Sequence, residues 1–204
     1  MANPTLGTSL PYGMRDCKFT PYTDALGSVL GAASIDLPNI QTLSFSETEE
    51  FQELRGDDKV VTTRGKGAQV EWELEAGGYS MKVWAILTGG SVDETGAAGT
   101  GGNPGTRKVT LRKRSTQARP FFRIEGQAIS DSGGDIHVTI FRARCNSSID
   151  GKFGDGEFFI TSAKGLGLPM NDDTGKGDFL YEFVQNEVES TISTTPAPNP
   201  VPTP

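Results

Sequence analysis

Residues 45–87 read FSETEEFQELRGDDKVVTTRGKGAQVEWELEAGGYSMKVWAIL, and three successive patterns divide them into arm, strand and helix. From Leu43 to Thr63, residues suited to extended chain flank a charged turn, Arg55-Gly56-Asp57-Asp58, in which Gly56 supplies a positive φ and the aspartates can bond their own backbone. A long β-hairpin is expected there. Its apolar residues Phe45, Phe51, Leu54, Val60 and Val61 are too sparse among Glu, Gln, Lys and Thr to form a core. A lone two-stranded ribbon is at best marginally stable in water, so this arm, about residues 45–64, needs a partner surface.

Beyond the arm, Val70, Trp72 and Leu74 alternate with Gln69, Glu71, Glu73 and Glu75, the period-two pattern of a strand with one buried face and one wet face. Gly77-Gly78 breaks it. From Tyr79 to Thr88 the chain is apolar apart from Lys82, and Gly89-Gly90 supplies a C-terminal stop. One short helix over about residues 79–88 is predicted, packed on the sheet through Met81, Trp84 and Leu87, with Trp72 and Trp84 both buried.

An extended arm ending in ELRGDDKVV, an alternating strand QVEWELEAGG and a short apolar helix MKVWAILTGG, in that order, resemble the major tail tube proteins of long, flexible-tailed bacteriophages. The resemblance is clearest over Leu37 to Gly90 and continues as generic β pattern to about Glu189. It implies a structural subunit that assembles into stacked hexameric rings, conducts viral DNA through their lumen, and is built into a virion after assembly in the host cytoplasm. It also implies partners: like copies of the chain, a tape-measure protein and other tail proteins, and DNA that passes without sticking. In such an assembly the arm reaches neighbouring subunits through Phe45, Phe51, Leu54 and Val60, with Arg55, Asp57, Asp58 and Lys59 at its charged tip.

The 204 residues fit one domain, over about residues 1–189. A net charge of −7 argues against a field that gathers nucleic acid. Two cysteines, Cys17 and Cys145, are too few for a disulfide framework or a zinc cluster and read as reduced, buried thiols. No apolar run approaches the ~20 residues of a membrane helix, and residues 1–9 lack the features of a secretory signal, so a cytoplasmic site of synthesis and no membrane partner are expected.

Along the rest of the chain, Met1 to Pro11 reads as a loose leader, Arg15 to Thr23 as a first strand limited by Pro21 to an edge or a strand end, and Asp24 to Asn39 as a long loop. Gly89 to Thr106 reads as a flexible surface loop that, with the first ten residues, would mediate ring stacking. Strands are expected at Arg107 to Ser115, Phe121 to Ile129, Asp135 to Cys145 and Gly156 to Ala163, followed by a loop over Lys164 to Gly177. Asp178 to Val188 is apolar on both faces, as a strand covered on both sides would be. The Pro/Thr-rich residues 190–204 read as a disordered, solvated tail.

Catalytic chemistry finds little support. His137 is the sole histidine and sits inside a strand pattern, where a hydrogen-bonded structural ring is the expectation. Asp57-Asp58 and Asp172-Asp173 are paired carboxylates in Gly-flanked turns, where Asp serves the backbone; calcium is the alternative. No glycine cluster has the context of a phosphate-binding loop. Non-enzymatic function without metal or cofactor is therefore expected. Glu71, Glu73 and Glu75 project from one face about 7 Å apart. They form either a solvated face paired with Arg112 or Arg114, or a channel lining that repels phosphates within a Debye length of about 8 Å. The basic run Arg107 to Arg114 lacks interleaved aromatics, and pairing with carboxylates is preferred over nucleic-acid binding.

The sequence thus predicts a mainly β chain: an antiparallel sandwich or partly open barrel with one short packed helix and a long hairpin arm. The alternative function is a monomeric β-sandwich binding or adhesin module of a phage or cell surface, with a groove lined by exposed aromatics.

Overall fold

A computed structural model describes residues 7–171 and 178–200 of the chain. The elements are β1 (Pro11–Pro21), β2 (Ile35–Asp36), β3 (Ile40–Gly56), β4 (Lys59–Gly77), α1 (Met81–Thr88), β5 (Ser91–Thr95), β6 (Lys108–Arg112), β7 (Phe122–Ser130), β8 (Asp135–Gly151), β9 (Ile160–Leu168) and β10 (Tyr181–Asn186). The fold is mainly β, antiparallel and sandwich-like, with one short helix and a long hairpin.

One sheet runs in the order β2-β1-β7-β8-β9-β4-β3, and β10 also pairs with β8. Strand β8 organises it. Its first half, Asp135–Ile140, pairs with β7 on one side and β10 on the other, while Arg142–Gly151 pairs with β9. Strands β9 and β10 therefore lie end to end along one edge of β8, and the sheet divides there. Alternate residues from the two parts meet in the core: Cys17 and Phe19 from β1, Trp72 and Leu74 from β4, Phe122 and Ile124 from β7, and Ile140 from β8. The Trp72 ring meets Phe122 edge-on at 5.7 Å.

Helix α1 closes this core. Ser80 takes the N-cap position and accepts the Val83 N–H; Gly89, at φ 75°, returns its N–H to the Ala85 carbonyl, so the Gly89 stop is where the sequence places it. The helix begins at Met81 rather than Tyr79 because Ser80 takes the cap. Its buried residues are Val83, Ile86 and Leu87. Of the predicted packing set, Leu87 joins the core, whereas Met81 and Trp84 are only half-buried. Trp84 lies over Phe159 and donates to Thr161 Oγ1. An eight-residue helix presents only about two turns, too few to bury three residues spaced as 81, 84 and 87 along with Val83 and Ile86.

Strands β3 and β4 pair from Ile40↔Ala76 to Gly56↔Lys59, so the hairpin is longer than predicted. Its turn corrects the expected chemistry: Asp57 and Asp58 carry the positive φ values, 51° and 61°, and Gly56 does not. A two-residue hairpin turn that matches strand twist requires φ > 0 at both central positions, and Asp is among the few L-residues that accept it.

Several other expectations fail for local reasons. The loop predicted over 89–106 contains β5, which pairs with β6; Arg107–Glu94 and Arg112–Asp93 ion pairs bridge the two. Strand β9 starts at Ile160 rather than Gly156 and runs on through Leu168, into the segment read as a loop. Glycines 165 and 167 serve close approach there: the Gly165 Cα packs under the Trp72 ring. Strand β10 is not covered on both faces: Phe183 and Val184, which point to opposite sides, are both exposed. Pro21 does end a strand, as expected, but β1 lies between β2 and β7. Asp172 and Asp173 lie outside the described residues, as do residues 1–6 of the leader.

The proline-rich tail supplies the largest departure. Residues 190–200 lie along the body as a strap: the Ser34 N–H donates to the Thr194 carbonyl, and Arg123 to the Ala197 carbonyl at 2.7 Å. Ile192 is buried. Proline removes backbone donors and so keeps this segment out of a sheet, yet it leaves carbonyls that side chains can reach.

Asp135 fastens the start of the strap. Its carboxylate is fully buried and receives the Ser190 N–H, Asn186 Nδ2, Gln127 Nε2 and the His137 ring. Burial pushes its pKa up, but these hydrogen bonds outweigh burial and hold it at about 2, below the usual 3.8. A depressed pKa means that Asp135 contributes stability fully above the usual carboxylate value and loses it as pH falls through about 2. Urea midpoints should accordingly decline as pH drops from near 4 toward 2, and Asp135→Asn, less stable at pH 7, should show a shallower decline. An identical decline in that variant would remove Asp135 as the cause.

Candidate functional site

The arm is a long exposed feature that carries several apolar side chains. Pairing of β4 with β9 begins at Val70 and continues only toward Gly77, so beyond Glu47 and Val70 the hairpin has no further strand beside it among the described residues. Residues 44–64 are all exposed. Phe51, Leu54, Val60 and Val61 stand 62%, 60%, 50% and 64% exposed. At the tip, Arg55 folds back onto Glu53 at 2.8 Å, Asp57 and Asp58 form the turn, and Lys59 pairs with Gly56. A register shift at Glu49/Phe51, with Gly67 at φ 99°, sets a bulge in the arm. Phe45 sits at the root, against Phe183 of β10 at 5.4 Å, rather than on the projecting part.

The arm also leaves a sheet edge open. Strand β3 pairs only with β4, so along its other side a row of backbone N–H and C=O groups has no strand partner among the described residues. Such an edge is a template for another chain.

Alternation on β4 is as predicted: Val70, Trp72, Leu74 and Ala76 are buried, while Glu71, Glu73 and Glu75 face outward. Their neighbours are not Arg112 or Arg114, which belong to the β5–β6 hairpin. Across the sheet they face Ser46, Ser44 and Thr42 of β3 and Leu166, Lys164 and Ser162 of β9. Lys164 pairs with Glu73 at 2.7 Å. A groove of about 560 Å³ crosses this face, running from Ser44 and Ser46 past Glu71 and Glu73 to Lys164 and to Asn146 and Ser147 in a bulge of β8.

A second apolar surface went unrecognised in the sequence. The β8–β9 connection brings Phe153 and Phe159 to 4.7 Å, and Tyr79 stands edge-on to Phe159 at 5.4 Å and beside Trp84 at 5.2 Å. Phe153 is 86% and Phe158 96% exposed. The available signal was GEFFITSA, whose adjacent phenylalanines read as strand interior. Instead the Gly78 N–H donates to the Phe159 carbonyl, which ties the loop to the end of β4 and leaves Phe158 pointing outward.

His137 and the two cysteines lie within the folded body. His137 holds the Ser190 carbonyl at 2.8 Å and Asp135 at 3.1 Å. Cys17 and Cys145 are free and buried, and burial, foremost among several causes, raises both thiols. Among the described residues no three His, Cys, Asp or Glu side chains come together as a metal ion would require. None of the described helices is long and apolar enough to cross a membrane. No protein-family model and no curated protein matches the chain.

Proposed function

We propose that this chain is a structural, non-enzymatic subunit that polymerises into a tube, as the resemblance to phage tail tube proteins implies. One observation carries the reading: a projecting hairpin whose apolar side chains Phe51, Leu54, Val60 and Val61 stand exposed and whose outer backbone edge has no strand partner among the described residues. Head-to-tail docking of each arm onto the next copy gives a ring if the rotation closes, and a second contact along the axis stacks rings. Sheets joined edge to edge around such a ring make a wide barrel with alternating inner and outer faces.

The face bearing Glu71, Glu73 and Glu75 is the proposed lumen lining. Its three glutamates face outward beside Ser44, Ser46 and Ser162, with Lys164 and Leu166 as the cationic and apolar neighbours on β9, and the carboxylates suit passage of DNA without adhesion. The aromatic cluster around Phe153 and Phe158 is proposed as a further contact, either between rings or with a tape-measure or other tail protein. Assembly in a host cytoplasm and residence in a virion follow from the same reading.

The runner-up, a monomeric β-sandwich binding or adhesin module, draws on Phe153 and Phe158 as exposed aromatics. Sizing across rising concentration, with negative-stain microscopy of the concentrated sample, separates the two. The tube reading expects rings or hollow filaments to replace monomers. A chain that remains monodisperse and monomeric at the highest concentration would discard it in favour of the module.

A further inference from the structure

We propose that the face of β7 and β8 bearing Arg123, Gln127 and Asp135 is a recognition site for an extended, proline-containing peptide. In this chain it is filled by residues 190–200, and it can take the same segment from a second copy. Alternate residues of β7 define the face: Phe122 and Ile124 enter the core, so Arg123, Glu125 and Gln127 project to the opposite side. That side is polar and covered. Arg123 is 2% and Gln127 1% exposed, and Arg123 lies 3.8 Å from Glu125 and over the Phe141 ring. Arg123 Nε and Glu125 Oε2 have no hydrogen-bond partner among the described residues. Burying a guanidinium and a carboxylate contributes little to a core and risks much if the cover leaves.

The strap, in turn, brings few apolar groups. Ile192 is its one buried hydrophobic residue and lies outside the main core cluster. What holds it is a set of directed bonds. Asp135 accepts the Ser190 N–H at 2.8 Å, Gln127 donates to the Ser190 carbonyl at 2.9 Å, and Arg123 donates to the Ala197 carbonyl and the Asn199 side chain. The chemistry is complementary: between Pro196 and Pro198 the backbone of the strap offers carbonyls and few donors, and a guanidinium offers only donors. A proline-rich segment also loses little entropy on becoming extended.

Two features make the segment separable. Residues 187–189, which join it to β10, are exposed, and a cavity of about 600 Å³ separates residues 195–200 from the loop at Ser28 to Ala32. The connection therefore imposes little on where the strap comes from. This inference is independent of the tube reading, because it is tested on dilute protein whether or not the chain polymerises.

The experiment uses the full chain with a protease site inserted between Glu187 and Val188, so that cleavage leaves body and strap in one noncovalent complex. A fluorescent peptide of residues 189–204 is then added, and anisotropy is followed alongside circular dichroism. Saturable binding, reversed by unlabelled peptide, is expected. Peptides carrying Ser190→Pro, which removes the N–H held by Asp135, or Asn199→Ala should bind about tenfold more weakly each. Because those changes lie in the peptide, they leave the body untouched. Three results would overturn the proposal: no binding by a body that remains folded, equal binding of all three peptides, or unfolding of the body on cleavage, which would make the strap part of the core.

Discussion

Removing Glu50 to Val60 is expected to yield a folded chain that no longer polymerises. The deletion joins Glu49 to Val61 and leaves residues 61–67 as the loop that closes the Glu49↔Ala68 pair. Nothing in the core is touched, since residues 44–64 are all exposed. The loss falls on association. Phe51, Leu54 and Val60, which the deletion removes, each expose half or more of their surface, and covering them on a neighbour is worth on the order of 4 kcal/mol per arm before the entropic cost of docking. At about 1.4 kcal/mol per decade, that corresponds to roughly a thousandfold in the concentration required for assembly. Phe51→Ser with Leu54→Ser should weaken assembly in the same direction while keeping the hairpin at full length. The thermal midpoint and circular dichroism should stay close to those of the parent chain in both variants. Filaments of normal length from the deletion would end the assignment of the arm to assembly, whereas loss of the fold would show that the arm supports its own body.

How far such reasoning reaches from sequence depends on what kind of contact is involved. Val70, Trp72 and Leu74 were legible because strand alternation is a local property, and the structure buries all three. The arm was legible for the opposite reason, its apolar residues being too dilute to bury, and they stand exposed. Where the reading failed, the deciding group was distant or the local signal ambiguous. The short β5 lay within a glycine-rich stretch, and only its partner β6 reveals SVDET as a strand. Phe158 and Phe159 looked like strand interior until the bond from Gly78 fixed the loop. Composition reads residues 190–204 as a disordered tail, because nothing local shows that Arg123, some seventy residues earlier, holds the Ala197 carbonyl. The exposed arm and the outward acidic face were therefore legible in the sequence, and the aromatic end and the strap were not.

The second large effect is expected at the contact of β4 with β9. Gly165 is opposite Trp72 in register, and its Cα hydrogen points at the indole ring. Its φ is not in the left-handed region, so glycine is required there for space and not for backbone conformation. A methyl group would meet the Arg144 carbonyl oxygen on one side and the Trp72 ring on the other. The carbonyl belongs to the adjacent strand and cannot swing away; the ring is 2% exposed and abuts Phe122. Gly165→Ala should therefore cost about 1–3 kcal/mol through overpacking, and Gly165→Val more. Trp72→Ala should cost about 3–5 kcal/mol by leaving a cavity. Combining Gly165→Ala with Trp72→Phe discriminates the two walls of the site: the smaller ring relieves one clash, and the carbonyl contact persists, so rescue should be partial. Urea unfolding at constant m-value provides the measurement. A Gly165→Ala midpoint equal to that of the parent chain would mean that β9 can shift away from β4, and the two strands would then not be the rigid wall on which the acidic face and the arm are mounted.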